Sequence, residues 1–469
     1  MIFSSFEFLI FFASVLALRA GLRDLEREKR FLLVVSWLFY MSWGPRFVVL
    51  IVFTSLVDWW IGRRLGETDD ARSRRRLLVT SLVLNLGVLA FFKYTNFVVE
   101  NGWLALRALG WEPDPVMLDI LLPVGISFFT FQSMSYTIDV YRREIPPCRS
   151  AVDLCLFVAF FPQLVAGPIV RAADFLPQLR HHVRATPSDF ERGLLLFGIG
   201  AFKKLVVSDQ VSPYVDLAFA RPADFGAAFL LQGLLGYAIQ IYCDFSGYSD
   251  MAIGCARMMG YEFKENFRMP YAAVSFADFW HRWHISFSTW LRDYLYIPLG
   301  GNRKGEGRTY VNLMVTMLLG GLWHGARWNF VVWGAIHGAA LCGERLLRTR
   351  GGVPAPAGAA ARLRSWAATM TVVLVGWVFF RSPSLADALT FLRGLAGGHE
   401  GGAWVASPQI LAAAVLMGAA ILHGRDSGEA APRLMAAAPA VRLAVYTGLL
   451  TALVSFGVTY AAPFIYFQF

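Results

Sequence analysis

Repeated apolar runs constrain this chain more than any other feature. They cover residues 5–19, 31–43, 46–62, 77–98, 117–138, 152–169, 190–207, 226–243, 310–323, 328–346, 366–381, 408–423 and 441–460. A helix needs about 20 mostly apolar residues to cross a bilayer. In hydrocarbon every backbone N–H and C=O must be bonded internally, so only helices and closed barrels span. The runs are long and lack the alternation of a strand, which selects helices. Hydrophobic residues make up 56% of the chain, charged residues 16%, and mean hydropathy is +0.49. A soluble chain carries about 25% charge, so too few polar groups remain here to coat a water-facing surface. The expected fold class is all-α, a polytopic integral membrane helical bundle. No internal repeat stands out, and all of 1–469 reads as a single membrane domain. Its core is expected at about 120–350 and further helices at about 366–469.

The net charge is +10. A soluble basic protein would suggest nucleic acid. Here the basic residues cluster in short loops: Arg19 to Arg30, Arg63 to Arg76, and Arg142 to Arg149. They alternate with poorly basic loops at 43–46 and 99–116, so the positive-inside rule places the basic set in the cytoplasm and calls for no nucleic acid. The first run carries its charges after the apolar stretch, the reverse of a secretory signal, and reads as a retained helix with its N-terminus outside. The five cysteines form no CxxC pair and no zinc spacing, so free thiols are expected.

Two runs break the pattern. The run 152–169 is flanked by basic residues on both sides and contains Pro162, Gly167 and Pro168. Such a segment is expected to be re-entrant, buried in protein or lining a cavity. The run 310–323 covers only about 20 Å and ends at Gly320-Gly321-Leu322-Trp323-His324-Gly325. That places His324 at membrane depth or just inside an interface, where an ionisable group is a functional candidate.

Between 255 and 309 the chain is basic and non-spanning, and is assigned to the cytoplasmic side. Phe276, Trp280, Trp283, Phe287, Trp290 and Tyr294 form an aromatic stripe on one helical face, with Ser275 as N-cap and an Asp278–Arg282 pair. His281 and His284 share a face of that helix. A chelating pair is conceivable, but the His-Glu-x-x-His form is absent and no metal is assigned. Of the eight histidines, His181, His182, His337, His399 and His423 are set aside by position, which leaves His281, His284 and His324. A neutral imidazole at His324 suits a general base, and the flanking glycines allow a substrate close to the backbone.

The stretch Tyr242 to Asp250 reads either as a helix-end turn with capping acids or as a group orienting a site, with Asp244 the candidate. Gly300-Gly301-Asn302-Arg303-Lys304-Gly305 is not a phosphate-binding Walker loop. It reads as a basic cytoplasmic loop, or as a contact for a donor's phosphates through Asn302.

The run Asp278 to Tyr294, followed by Ile297-Pro298-Leu299-Gly300-Gly301-Asn302, resembles the membrane-bound O-acyltransferase family. Gly321-Leu322-Trp323-His324-Gly325-Ala326 is similar to that family's active-site histidine motif. Phe161 to Ile169 and the closing Pro463-Phe464-Ile465-Tyr466-Phe467 resemble the bacterial branch that includes the alginate O-acetylation membrane subunit.

The resemblance implies a bundle around a central tunnel in the bacterial inner membrane. It implies a cytosolic acyl thioester, acetyl-CoA, as donor, with no bound cofactor. It implies a periplasmic acetyltransferase or polysaccharide-binding partner and an exopolysaccharide acceptor. It carries catalytic roles onto His324 and His284 but none onto His281. Trp323, Asp244, Arg292 and Asn302 are the expected substrate contacts. D-alanyl transfer, cell-wall O-acylation and a non-enzymatic transporter are the alternatives.

Overall fold

The computed structural model describes residues 1–111, 114, 117–165, 167–351, 358–398, 407–423, 426–457 and 464–465. Ala166, His399 and, at the close of the chain, Pro463, Tyr466 and Phe467 lie outside the described residues, as does the side chain of His423. The described residues form helices and no strands. Six helices are long and apolar enough to cross a membrane: Pro45–Glu67, Ala71–Ala108, Ala227–Met258, Trp328–Thr349, Ala359–Arg381 and Pro439–Phe456. A multi-pass membrane protein follows from them. The cysteines are free.

The chain divides into two compact units, Met1–Phe190 with Cys255–Phe263, and Glu191–Gly254 with Lys264–Phe469. The first holds α1 (Phe6–Ala20), α2 (Leu25–Met41), α3 (Val48–Glu67), α4 (Ala71–Ala108) and α5 (Ile126–Arg142). Three short helices follow: α6 (Ala151–Ala159), α7 (Phe161–Leu164) and α8 (Ala172–Phe175). Ser5, Asp24 and Asp70 cap α1, α2 and α4 by accepting backbone N–H groups. The Asp58 carboxylate of α3 ties three helices together, accepting from Ser81 at 2.5 Å, Ser133 at 2.6 Å and Asn85 at 2.8 Å. The run 152–169 is broken at Phe160, and residues 154–165 are buried throughout, as irregular backbone at membrane depth requires. The expected helix over 117–138 starts only at Ile126, because Pro123 and a left-handed Gly125 precede it.

The second unit contains most of α9 (Pro187–Ala201), then α10 (Asp209–Ala220) and most of α11 (Ala227–Met258). Next come α12 (Phe276–Arg282), α13 (Ile285–Leu291), α14 (Glu306–His324) and α15 (Trp328–Gly351). It closes with α16 (Ala359–Arg381), α17 (Leu385–Leu395), α18 (Pro408–His423), α19 (Ser427–Met435) and α20 (Pro439–Phe456).

Three sequence expectations are corrected in this unit. First, α11 does not end near 243. It runs through Asp244 and Asp250 to Met258, so neither acid caps a helix end. Lysines from a π-helical turn, Phe202–Ser208, offset their charge: Lys204 lies 2.6 Å from Asp244 and Lys203 lies 2.9 Å from Asp250. Second, α14 has 19 residues rather than the 14 of its apolar run, because Glu306 to Thr309 supply a polar first turn and His324 is its last residue. At about 1.5 Å per residue it nearly matches a bilayer core. Third, the aromatic stripe is not one helix. It breaks at Trp283 and His284, then resumes as α13 and a π-helical turn, Arg292–Tyr296. The Ser275 cap and the Asp278–Arg282 pair, at 2.7 Å, stand as expected.

Glycines set the packing of α14 on α15. A Cβ on Gly321 would overlap the Phe330 carbonyl, and one on Gly334 would overlap that of Met317. Small residues let two membrane helices approach backbone to backbone. The His324 end of α14 is thereby fixed against the start of α15.

Candidate active site

His284 sits in the break between α12 and α13, with φ 43° and ψ 56°. Left-handed backbone at a non-glycine residue costs about 1–3 kcal/mol and persists only where its surroundings fix it. Here Asn266 fixes it. The backbone N–H of Ile285 donates to the Asn266 carbonyl at 2.8 Å. The Asn266 side-chain oxygen accepts from Ser286 Oγ at 2.8 Å and from the Ser286 N–H at 3.2 Å. Asn266 Nδ2 donates to Ser249 Oγ at 3.1 Å, which orients the amide.

His284 Nδ1 lies 3.2 Å from that same Asn266 oxygen. An oxygen accepts, so Nδ1 carries the proton and the lone pair falls on Nε2. The ring is fully buried, and burial holds its pKa well below the ordinary histidine value, so the imidazole is neutral. His281 is exposed on the other side of the break, so the two histidines do not form the facing pair that an unbroken helix would give.

His324 is the last residue of α14 and is 4% exposed. Four rings surround its own, with centroids at 5.0 Å for Trp323, 5.1 Å for Trp333, 5.2 Å for Phe380 and 5.3 Å for Phe287. Phe287 also lies 5.0 Å from His284 and 4.4 Å from Trp323. Trp323 in turn is 6.2 Å from His284. The two sequence-singled histidines therefore share two aromatic neighbours. A water-poor wall of this kind strengthens electrostatic interactions.

A cavity of about 500 Å³ opens beside α13, α14 and α15. Leu291, Thr316, Met317 and Trp280 line its apolar part. His281, Arg292, Arg345, Arg348 and Glu344 bring charge or polarity to it. Each guanidinium has a carboxylate partner: Arg292 with Asp293 at 2.6 Å, Arg345 with Glu306 at 2.7 Å, and Arg348 with Glu344 at 2.7 Å. Arg292 and Arg348 are more than half exposed, so neither pair is tightly held.

The other expected contacts fall elsewhere. Asp244 is buried, holds Lys204 and accepts the Ile465 N–H at 2.8 Å. Its neighbour Phe245 touches the site, with its ring 4.6 Å from His284. Asn302 is exposed in its glycine loop and is not among the residues that line the cavity.

Asn266, which holds His284, has no signal in the sequence, and Phe287, which touches both histidines, stood out there only as a member of the aromatic stripe. Sequence reasoning also set aside His337, which is fully buried with its ring 4.8 Å from Trp333 and 5.2 Å from Trp280. Its spacing of four from Trp333 on α15 was the available signal.

A family model described as MBOAT, membrane-bound O-acyltransferase family, matches residues 13–381. The probable alginate O-acetylase AlgI of Azotobacter vinelandii is 45% identical over 387 residues, 82% of this chain and 76% of that protein. Its namesake from Pseudomonas aeruginosa is 44% identical over 393 residues, 83% of this chain and 73% of that protein. The peptidoglycan O-acetyltransferase of Helicobacter pylori is 34% identical over 400 residues, 79% of this chain and 74% of that protein.

Proposed function

The chain belongs to the membrane-bound O-acyltransferase family, and we propose that this O-acyltransferase passes acetyl groups from cytosolic acetyl-CoA across a bacterial inner membrane, for O-acetylation of an alginate-like extracytoplasmic polysaccharide. We read residues 1–469 as one membrane domain for that task. The observation that carries the reading is the pair of buried imidazoles, His284 and His324, that share Phe287 and Trp323.

The chemistry asks for one base and good placement. An acceptor hydroxyl attacks the thioester carbonyl, a C–O bond forms, and the C–S bond breaks. His324 takes the hydroxyl proton and returns it to the departing thiolate sulfur. A placed base contributes about 10²–10⁴-fold, and fixing the reactants in register contributes more. A neutral His284 that donates from Nδ1 to Asn266 has no N–H left to polarise a carbonyl, and the hydroxyl's one proton goes to His324, so its part is to orient the site through Phe287 and Trp323. The 500 Å³ cavity, on the side assigned to the cytoplasm, is the vestibule for the coenzyme. Arg292, Arg345, Arg348 and His281 suit its phosphates. Only the acyl-thioester arm then reaches inward to His324, while the phosphates stay at the mouth, which spares the bilayer the coenzyme's charge. A periplasmic acetyltransferase or polysaccharide-binding protein then passes the acetyl on to the polymer, a polymer hydroxyl displacing the first acceptor's oxygen from the ester carbonyl.

Alanine at His324 or His284 in the full chain tests the proposal, with membrane abundance checked alongside. Polymer acetylation should be lost while the protein inserts normally. The Helicobacter pylori relative favours a second reading, peptidoglycan as acceptor. Acetyl analysis of both the exopolymer and the cell wall in a deletion strain separates the two.

A further inference from the structure

The cavity stops short of His324. Its deepest contacts on α14 are Thr316 and Met317. His324 lies seven residues beyond Met317, about 10 Å along the helix axis. Gly320 falls between them.

Leu291 and Phe287 sit one helical turn apart on the same face of α13. Leu291 lines the cavity and is 5% exposed, while Phe287 is fully buried against both histidines. Both side chains meet α14 at Gly320. A Cβ built there would lie 3.0 Å from Leu291 Cδ1 and 3.8 Å from the Phe287 ring. With no side chain at position 320, Leu291 and Phe287 close directly on the α14 backbone there.

We propose that Leu291 and Phe287, closing on Gly320, form the constriction through which the acyl group approaches His324, and that its width selects the acyl chain. The inference rests on the acyl-transfer reading of the same site. Leu291 is the movable member, since an aliphatic end rotates where a ring held by its neighbours does not. An acetyl group places one methyl beyond the carbonyl, and each further methylene must fit the same gap. A close-fitting apolar site discriminates by about 10- to 200-fold per methylene.

The test uses inverted membrane vesicles from the producing cell, which hold the full chain together with its partner protein and acceptor polymer in their lumen, supplied with acetyl-, propionyl- or butyryl-CoA labelled in the acyl group. The readout is the ratio of propionyl to acetyl label delivered to product. That ratio is internal to each preparation, so a lower yield of folded protein does not move it. Leu291→Ala should raise the ratio about 10-fold or more. Gly320→Ala should lower it, and the double variant should return it toward the wild-type value. Ratios within twofold of wild type in both single variants would overturn the constriction. If wild-type vesicles transfer no acyl label at all, the acyl-transfer reading fails, and the constriction falls with it. Transfer of acetyl with unmoved ratios sinks the constriction alone.

Discussion

His284 Nδ1 lies 3.2 Å from Asn266 Oδ1, and that contact decides which ring nitrogen carries the proton. The amide is oriented from its far side by Ser249, so the assignment rests on a chain of bonds rather than on one. Asn266→Ala removes the tether and leaves the imidazole free to change tautomer. Acetyl transfer should fall about 10- to 100-fold, less than for loss of a placed base itself. Initial rates in vesicles, normalised to membrane abundance, measure it. A rate within twofold of wild type would show that Asn266 does not position the ring.

Asn266→Asp makes a different prediction, because it brings a carboxylate beside the ring. An opposite charge favours the imidazolium, so the His284 pKa should rise. Activity that needs a neutral ring should then be lost at higher pH as the solution is acidified. The acid limb of the rate profile should move upward by about one unit or more relative to wild type. An unmoved limb would separate His284 from the reaction.

The buried neutral His284 also sets a stability prediction. Its pKa is lowered in the fold, while an unfolded chain takes up the proton near pH 6.5. Stability is therefore fully present above about pH 6.5 and falls as the pH drops from there toward the folded value. The group contributes a slope of at most about 1.4 kcal/mol per pH unit in that window. Thermal midpoints of the detergent-solubilised protein between pH 7.5 and 5.5 should decline, and His284→Gln should flatten the decline.

Two glycines distinguish packing from chain flexibility. Gly321→Ala drives a methyl into the Phe330 carbonyl, whereas Gly343 on α15 has open space around its Cβ direction. Overpacking should cost about 1–3 kcal/mol at 321, while alanine at 343 should be neutral or slightly stabilising. Thermal midpoints measured side by side give the contrast, and equal midpoints would contradict the glycine account of the α14–α15 contact.

Lys204 is buried between Asp244 and Asp209, at 2.6 and 2.7 Å. Lys204→Met strands two carboxylates and should cost about 3–5 kcal/mol. Adding Asp244→Asn should recover part of that loss, and midpoints of the single and double variants complete the cycle. Additive losses would mean that the two groups act independently.

The sequence was most legible where local chemistry decides the structure. Ser275 capping and the Asp278–Arg282 pair need only residues within one turn. The histidine at the end of α14 was marked by the glycines beside it. What stayed hidden depends on partners far along the chain. The break at Trp283–His284 is held by Asn266, and no periodicity within the aromatic stripe announces it. The passage of α11 through Asp244 and Asp250 needs Lys204 and Lys203, 40 and 47 residues upstream, so hydropathy alone ended the helix too early. The first turn of α14 is polar, and an apolar window cannot see it.

The central claim is that His324 is the base for acyl transfer. The most direct measurement is single-turnover transfer of labelled acetyl from acetyl-CoA in vesicles carrying His324→Gln, a substitution of similar size that cannot take the proton. The account predicts a loss of about 10²–10⁴-fold, with insertion, abundance and thermal midpoint close to wild type. Transfer at the wild-type rate in that normally folded variant would contradict it.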